Sequence, residues 1–344
     1  MNVGENIKFL QNCGVPLKIM EVCGTHTSAI VKSGISGLLP PNIKLVSGPG
    51  CPVCVTEAGF IDGLAEFAQK ENSCVLSFGD LYKIRGTSLS FTEAKASGGS
   101  FEIVYSPLDA LNYARNNPNT KYVLAAVGFE TTLPVYALLI ETLIKQNIKN
   151  VKIAASLKTI IPAMSFICER ETVDAFICPG HVSVIIGKNA YLPLLDKYKK
   201  PFVITGFEPE DIIAAIREIV LQAQTGEFSV ENMYKSVVSD RGNEKALELI
   251  DKYFTVCDGF WRGIGKIEKS AFVLKNEFSE FVMENTTITD ETIPPGCRCA
   301  DVLLGRIIPT ECGLFGKACR TDSPVGACMT SREGACAVWY KEGG

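Results

Sequence analysis

Short apolar runs recur along the first two thirds of the chain, and polar or glycine-containing loops separate them. Their starts lie roughly 20 to 30 residues apart, which is typical of strand–helix–strand units in a parallel sheet. Helical periodicity fills the gaps between them, at 56–70, 107–116, 132–146, 183–198 and 208–225. We therefore predict eight buried strands, at residues 17–22, 43–47, 74–78, 101–105, 122–127, 151–156, 174–178 and 202–205.

The alternation of apolar runs and helical segments ends near residue 226. Residues 229–252 predict a helix, and from Pro294 onward the chain is rich in Gly, Pro and Cys with little periodicity. Such a segment has too few large apolar side chains to fold by packing alone, so we expect a metal site to hold it together. The predicted class is α/β, with two parallel-sheet domains (1–118 and 119–226) facing a cleft and a C-terminal, mainly helical or irregular iron–sulfur domain (227–344).

The composition and charge of the chain argue against two classes of protein, those that bind nucleic acid and those that span a membrane. The chain has 34 basic and 38 acidic residues and a pI near 5.5, which is unlike the basic surface of a nucleic-acid-binding protein. Its most apolar stretch, about 122–144, is interrupted by Glu130 and Pro134, and no apolar run follows a basic start. We therefore expect a cytoplasmic protein that binds neither nucleic acid nor membrane.

Cysteine is the unusual residue type. The chain has fourteen cysteines and two histidines, and six of the cysteines lie in the last 48 residues. In a large cytosolic protein this pattern indicates metal or redox chemistry rather than structural disulfides. The tail has no paired C-x-x-C of the kind that binds zinc, so its irregular spacing favours a [4Fe–4S] cluster. Spacing alone does not select four ligands from six cysteines.

Other reactive side chains follow predicted strands directly. In a parallel sheet the carboxyl ends of the strands form the ligand crevice, so we expect these residues to line it. They are Cys23 and His26 in CGTHT, Cys51 and Cys54 in CPVC, Glu130 in GFETT and His181 in CPGHVS.

Each of these residues has competing interpretations. Cys51 and Cys54 can be a reversible dithiol or metal ligands, and the start of a helix would favour a thiolate at Cys51. Cys23 and His26 can hold iron, form a nucleophile pair, or simply pack and cap a helix. Glu130 can be a general base or a helix-start carboxylate, and a lone histidine such as His181 is often structural.

Taken together, these motifs resemble the HypD family of [NiFe]-hydrogenase maturation factors over nearly the whole chain. The matching segments are MEVCGTHT (20–27), GPGCPVC (48–54), GFETT (128–132), CPGHVS (178–183), GFEP (206–209), PGCRCADVLLG (295–305), CGLFGKAC (312–319) and PVGACMTSREGACAVWY (324–340). Ala300 departs mildly from the expected glycine. The resemblance implies a [4Fe–4S] cluster on Cys299, Cys312, Cys319 and Cys336.

The resemblance further implies a redox-active scaffold rather than a conventional turnover enzyme. Such a scaffold works with a HypC-type chaperone and a HypE-type cyanide donor. It assembles a transient iron carrying CN and CO ligands, and the Fe(CN)2CO group then passes to the hydrogenase large subunit. Thiolates are soft donors suited to this iron, which predicts Cys23 as its ligand, with Cys51 and Cys54 as further ligands or as a two-electron store.

His26 and Glu130 are then the candidates to supply or orient a proton, with His181 near them. Two other hypotheses stay open. One is an iron–sulfur thiol–disulfide oxidoreductase that acts on a protein disulfide, and the other is an assembly platform whose cluster only stabilises the tail.

Overall fold

The computed structural model describes residues 2–283 and 293–343. It has eleven strands in that part of the chain: β1 Leu17–Glu21, β2 Ile43–Ser47, β3 Ser73–Ser77, β4 Phe101–Ile103, β5 Lys121–Gly128, β6 Val151–Lys158, β7 Ala175–Cys178, β8 Phe202–Ile204, β9 Val230–Asn232, β10 Phe254–Trp261 and β11 Gly265–Leu274. All eight predicted strands are confirmed, and so is the α/β class.

Helices separate most of the strands. They are α1 Val3–Gln11, α2 Gly24–Lys32, α3 Ile35–Leu38, α4 Ala58–Ala68, α5 Phe91–Ala96, α6 Asp109–Asn116, α7 Leu133–Lys145, α8 Ile160–Arg170, α9 Gly180–Ile186, α10 Leu192–Tyr198, α11 Pro209–Thr225, α12 Glu244–Tyr253, α13 Cys299–Leu303, α14 Ala327–Thr330 and α15 Ala335–Glu342. Within the described residues, no helix combines the length and the apolar character needed to cross a membrane.

The chain divides into two compact units, each built from separated segments. The first comprises Met1–Cys51, Ile161–Glu244 and Pro294–Gly344, and the second comprises Pro52–Ile160 and Lys245–Ile293. Each unit is discontinuous because strands far apart in the sequence pair in one sheet. The predicted domains 1–118, 119–226 and 227–344 stay a prediction.

The first unit contains a parallel sheet in the order β2-β1-β7-β8-β9. Strand β1 lies between β2 and β7, with Glu21 in register with Ser47 on one side and Ile177 on the other. Apolar side chains of β1, β7, α1 and α11 form the core, among them Ile19, Ile177 and Ile216. The carboxyl ends of β1, β2, β7 and β8 therefore lie along one edge.

The second unit contains a mixed sheet in the order β10-β11-β6-β5-β3-β4. Strands β3 to β6 are parallel, whereas β11 pairs antiparallel with both β10 and β6. The β10–β11 hairpin lies in a region whose sequence predicted no strand. Its exposed and buried positions are irregular, and a bulge between Cys257 and Gly259 shifts the pairing, which masks the two-residue alternation.

Two helix predictions were wrong in part. The segment 229–252 begins as strand β9, and the Asn232 side chain then bonds to Val238 O and Tyr234 N, which holds a turn before α12 starts. The predicted helix 183–198 is broken at Gly187, which has a positive φ of 77° and lies against Gly242.

Candidate functional site

Cys23 lies at the turn from β1 into α2, in the first unit. It is the N-cap residue, with extended backbone angles, and its side chain is buried. Burial raises the pKa of its thiol to about 11, and the backbone N–H groups of His26 and Thr25 oppose this only in part. The free thiol is therefore protonated at neutral pH, and a metal that binds it must displace that proton.

The loop that carries Cys51 packs directly on this turn. The N–H of Gly48 donates to Glu21 O at 2.7 Å, and a Cβ at Gly50 would collide with the backbone of Val22 and Cys23. Only glycine fits such a close approach, so the GPGC sequence is what allows the two cysteine-bearing loops to touch.

Cys51 and Cys54 are both disulfide-bonded. Ten cysteines lie outside any disulfide and Cys299 pairs with Cys328, so Cys51 and Cys54 can only be bonded to each other. Both are buried. The structure thus contains one of the two states that the redox hypothesis requires, and reversibility stays a prediction.

Both histidines pack on one aromatic ring, Phe207, in the loop after β8. The ring centroid of His26 lies 4.7 Å from that of Phe207, and the centroid of His181 lies 4.2 Å from it in a stacked arrangement. His26 is fully buried, whereas His181 is exposed. Three motifs therefore meet at the strand ends of the first unit: CGTHT, CPGHVS and GFEP. The two histidines were predicted to lie at strand ends, whereas no role was predicted for Phe207.

The hydrogen bonds of His26 define its protonation state. Its Nε2 lies 3.0 Å from the carbonyl oxygen of Gly206, which can only accept, so Nε2 carries the proton. Burial lowers the pKa of His26 to about 4, and Nδ1 is buried without a partner. At neutral pH this ring is an acceptor at Nδ1 rather than a proton donor. Burial also lowers the pKa of His181.

Glu130 belongs to the second unit, as does Cys54. Its Oε1 accepts hydrogen bonds from Thr159 Oγ1 at 2.6 Å and from the N–H of Ile160 at 3.0 Å, while Oε2 is buried without a partner. Burial raises the pKa of this carboxyl. The raised pKa and the unpaired oxygen suit a carboxyl that holds a proton.

Sequence reasoning missed two buried carboxylates. Glu21 ends β1 and accepts hydrogen bonds from the Cys23 N–H at 2.9 Å and Thr27 Oγ1 at 2.5 Å; burial raises its pKa to about 7. Glu57, three residues after Cys54, forms a buried ion pair with Lys158. A charged residue in an otherwise apolar run, as in LKIME, is the feature that could have revealed Glu21.

The cysteine-rich tail forms a cleft in the first unit. It encloses about 290 Å³ of empty space, including the part open to solvent, and Leu314, Phe315 and Met329 are among its apolar walls. Six cysteines line it: Cys297, Cys299, Cys312, Cys319, Cys328 and Cys336. All four predicted cluster ligands therefore lie in one cleft: Cys299, Cys312, Cys319 and Cys336. Their role as ligands stays a prediction.

The cleft fits a thiolate-bound group. Cys299 and Cys328 are bonded to each other with their Cα atoms 6.2 Å apart, which leaves Cys297, Cys312, Cys319 and Cys336 outside any disulfide. Burial raises the pKa of Cys336, and Cys319, Cys297 and Cys312 raise it further by their negative charge. The N–H of Val325 donates to the Cys319 sulfur at 3.3 Å. In the described residues, no group of three or more His, Cys, Asp or Glu has the geometry of a single-ion site.

The tail also packs on the Cys23 helix. Helix α15, which carries Cys336, contacts α2, and a Cβ at Gly24 would collide with the backbone of Glu333. At the far ends of the two helices, Lys32 and Glu342 form an ion pair at 3.6 Å. The helices thus run in the same direction, with their amino-terminal ends together.

Comparison with known proteins decides the family. The profile of the HypD family, described as "Hydrogenase formation hypA family", matches residues 2–343. The chain belongs to the HypD family. Among HypD relatives, the hydrogenase maturation factor HypD of Escherichia coli (strain K12) is 40% identical over 335 residues, covering 95% of this chain and 89% of that protein.

Two further HypD relatives show similar agreement. The maturation factor of Azotobacter vinelandii is 38% identical over 338 residues, covering 95% of this chain and 89% of that protein. That of Rhodobacter capsulatus is 36% identical over 341 residues, covering 96% and 90%. The resemblance predicted from the motifs is confirmed, and the chain is a member of a hydrogenase maturation family.

Proposed function

We propose that this chain is a redox-active scaffold in [NiFe]-hydrogenase maturation. It holds an iron atom as its substrate while two cyanides and one carbon monoxide are installed, together with a HypC-type chaperone and a HypE-type cyanide donor. The Fe(CN)2CO group then passes to the hydrogenase large subunit. The supporting observation is that Cys23, the Cys51 loop and both histidines share one edge of one parallel sheet.

Cys23 is the proposed iron ligand of this chain. Cyanide and carbon monoxide favour electron-rich, low-spin iron(II), and a soft thiolate stabilises such an ion. The thiol is buried and carries its proton at neutral pH, so it becomes a ligand only when iron displaces that proton. A thiolate from the chaperone completes the site, and Cys51 and Cys54 are further candidate ligands once reduced.

Proton handling is divided between His26 and Glu130. A thiocarboxamide carrier first loses water to become a thiocyanate, and release of cyanide from it then leaves the carrier sulfur two electrons short. The reduced Cys51–Cys54 dithiol supplies both electrons as it closes to the disulfide, and the carrier sulfur takes up one proton to become a thiol. Glu130, whose pKa is raised by burial and whose Oε2 is unpaired, is the proposed donor. His26 is the proposed proton acceptor. Its Nε2 proton is donated to Gly206 O, and its Nδ1 has no hydrogen-bond partner and can therefore accept a proton. His181, exposed and stacked on Phe207, orients the incoming group.

For the cluster we propose Cys297, Cys312, Cys319 and Cys336 as ligands. These four cysteines of the cleft lie outside any disulfide, whereas Cys299 of the predicted set is bonded to Cys328. A [4Fe–4S] cluster bound there would supply single electrons. Two dithiol pairs, Cys51–Cys54 and Cys299–Cys328, are then available to store electrons two at a time.

The Cys299–Cys328 pair also favours a second candidate function. A disulfide on the wall of a thiol-lined cleft is what an iron–sulfur thiol–disulfide oxidoreductase requires. An oxidoreductase function does not explain why Cys23 lies at the same sheet edge as two histidines, so this function is our second candidate.

Infrared spectroscopy of the anaerobic complex with the chaperone separates the two functions. We expect cyanide and carbonyl stretching bands for the wild-type chain and none for Cys23→Ala. The matched control is Cys13→Ala, which removes another free, buried thiol of the first unit and should keep the bands. Full-strength bands from Cys23→Ala would refute the iron site, and their absence from the wild-type complex would favour the oxidoreductase.

A further inference from the structure

Glu21 is a buried carboxylate for which the proposed chemistry has no use. It ends strand β1, which is buried along almost its whole length, and only 3% of its surface is exposed. A carboxylate in such a place is costly unless hydrogen bonds satisfy it. Three donors do so here: the N–H of Cys23, the hydroxyl of Thr27 and the hydroxyl of Ser47.

Each donor belongs to a segment that carries a cysteine. Oε2 accepts from Cys23 itself at 2.9 Å, and Oε1 accepts from Thr27, one turn into the helix that Cys23 caps, at 2.5 Å. Ser47 lies opposite Glu21 in the β1–β2 register and stands four residues before Cys51. One side chain therefore ties the Cys23 turn, the first turn of α2 and the start of the Cys51 loop together.

Backbone contacts reinforce the same junction. The carbonyl of Glu21 accepts the N–H of Gly48, so the residue holds the Cys51 loop through both its main chain and its side chain. The carboxylate also borders a cleft of about 290 Å³, including the part open to solvent, whose walls are largely apolar and include Ile30, Val46 and Trp339. In such apolar surroundings the three hydrogen bonds are stronger than they would be in water, and they direct the carboxylate.

We propose that Glu21 is a positioning residue, a hydrogen-bond hub that fixes Cys23 relative to the Cys51 loop. Its purpose rests on the proposed function of Cys23, but the hub itself does not require iron. Thr27 and Ser47 are its two side-chain partners. An apolar residue would fill the same space more cheaply, yet it would leave the Cys23 turn and the Cys51 loop without a common anchor.

The hub is tested in the metal-free full chain with Cys51–Cys54 oxidised. N-ethylmaleimide labelling followed by peptide mass spectrometry gives the alkylation rate of each free cysteine. Glu21→Gln keeps the shape but places an NH2 group against a donor. We expect the rate at Cys23 to rise about tenfold or more, the factor for losing one hydrogen bond to a buried charged group. Cys178, free and buried on the neighbouring strand β7, should not change.

A matched pair at Thr27 gives an independent test. Thr27→Val removes the hydroxyl at constant size and should accelerate Cys23, whereas Thr27→Ser keeps the hydroxyl and should not. Unchanged Cys23 rates in both Glu21→Gln and Thr27→Val would overturn the proposal. Equal acceleration of Cys178 would also overturn it, because Glu21 would then stabilise the whole sheet. Because no iron is present, these outcomes do not depend on whether Cys23 binds iron.

Discussion

Replacing Lys158 with Met should destabilise the second unit strongly. The ammonium of Lys158 is paired with Glu57 and donates to Phe260 O at 2.7 Å, and its side chain is 1% exposed. Met preserves most of the volume but leaves the Glu57 carboxylate buried, where Ser156 Oγ still donates to it at 2.5 Å. Removing one member of a buried ion pair costs about 3–5 kcal/mol, most of it from the uncompensated charge.

Urea unfolding followed by circular dichroism measures this loss. The double variant Lys158→Met/Glu57→Leu should recover most of it, because both charges are then gone. Since Glu57 stands at the N-cap position of α4, three residues after Cys54, the single variant should also make the Cys51–Cys54 bond easier to reduce. A matched control is Lys197→Met, which breaks the exposed pair with Glu169 and should cost at most about 1 kcal/mol.

Two results would refute this reasoning. One is a Lys158→Met variant as stable as the wild type, which would mean that the Glu57 carboxylate finds other partners or water. The other is a double variant no more stable than the single one, which would mean that packing around Lys158, rather than its charge, provides the stability.

Three other predictions follow from the sites. Cys297→Ser should abolish the visible absorption of anaerobically prepared protein, whereas Cys299→Ser should keep it. If Cys299→Ser abolished the absorption and Cys297→Ser kept it, the ligand set predicted from the family resemblance would be correct instead. Gly50→Ala should destabilise the fold by about 1–3 kcal/mol in thermal unfolding, because its Cβ meets backbone, whereas Gly14→Ala, with open space around it, should not. His26 should stay neutral at every pH above about 5, one unit over its pKa of about 4, and NMR of the ring protons would show this.

The sequence was most informative where strands are buried on both faces. Such strands are continuous apolar runs, and β5 and β6 were predicted for that reason. The pairing order was beyond reach, because β1 lies next to β7, which follows it by more than 150 residues. No local pattern encodes that neighbour, and the discontinuous units follow from it.

Residue type explains which parts of the site were predicted. Cys23 and the two histidines are chemically reactive residues that directly follow predicted strands. Their residue type and their position both indicated a functional role. Phe207 is a common core residue, and only the structure shows that His26 and His181 both pack against it. Glu21 was overlooked although it lies within MEVCGTHT, because it occupies the last strand position before the turn that carries Cys23.

The tail shows the limit of spacing as a guide to ligands. Spacing along the chain cannot tell Cys297 from Cys299, because the two residues are separated only by Arg298. Pairing in space does tell them apart: Cys299 is bonded to Cys328, whereas Cys297 lies outside any disulfide and is one of the thiols that raise the pKa of Cys336. A collision at Gly326, where a Cβ would meet the Cys297 sulfur at 2.6 Å, shows how closely that thiol is held against the wall of the cleft. Ligand choice here is thus a property of the fold around the cysteines rather than of the intervals between them.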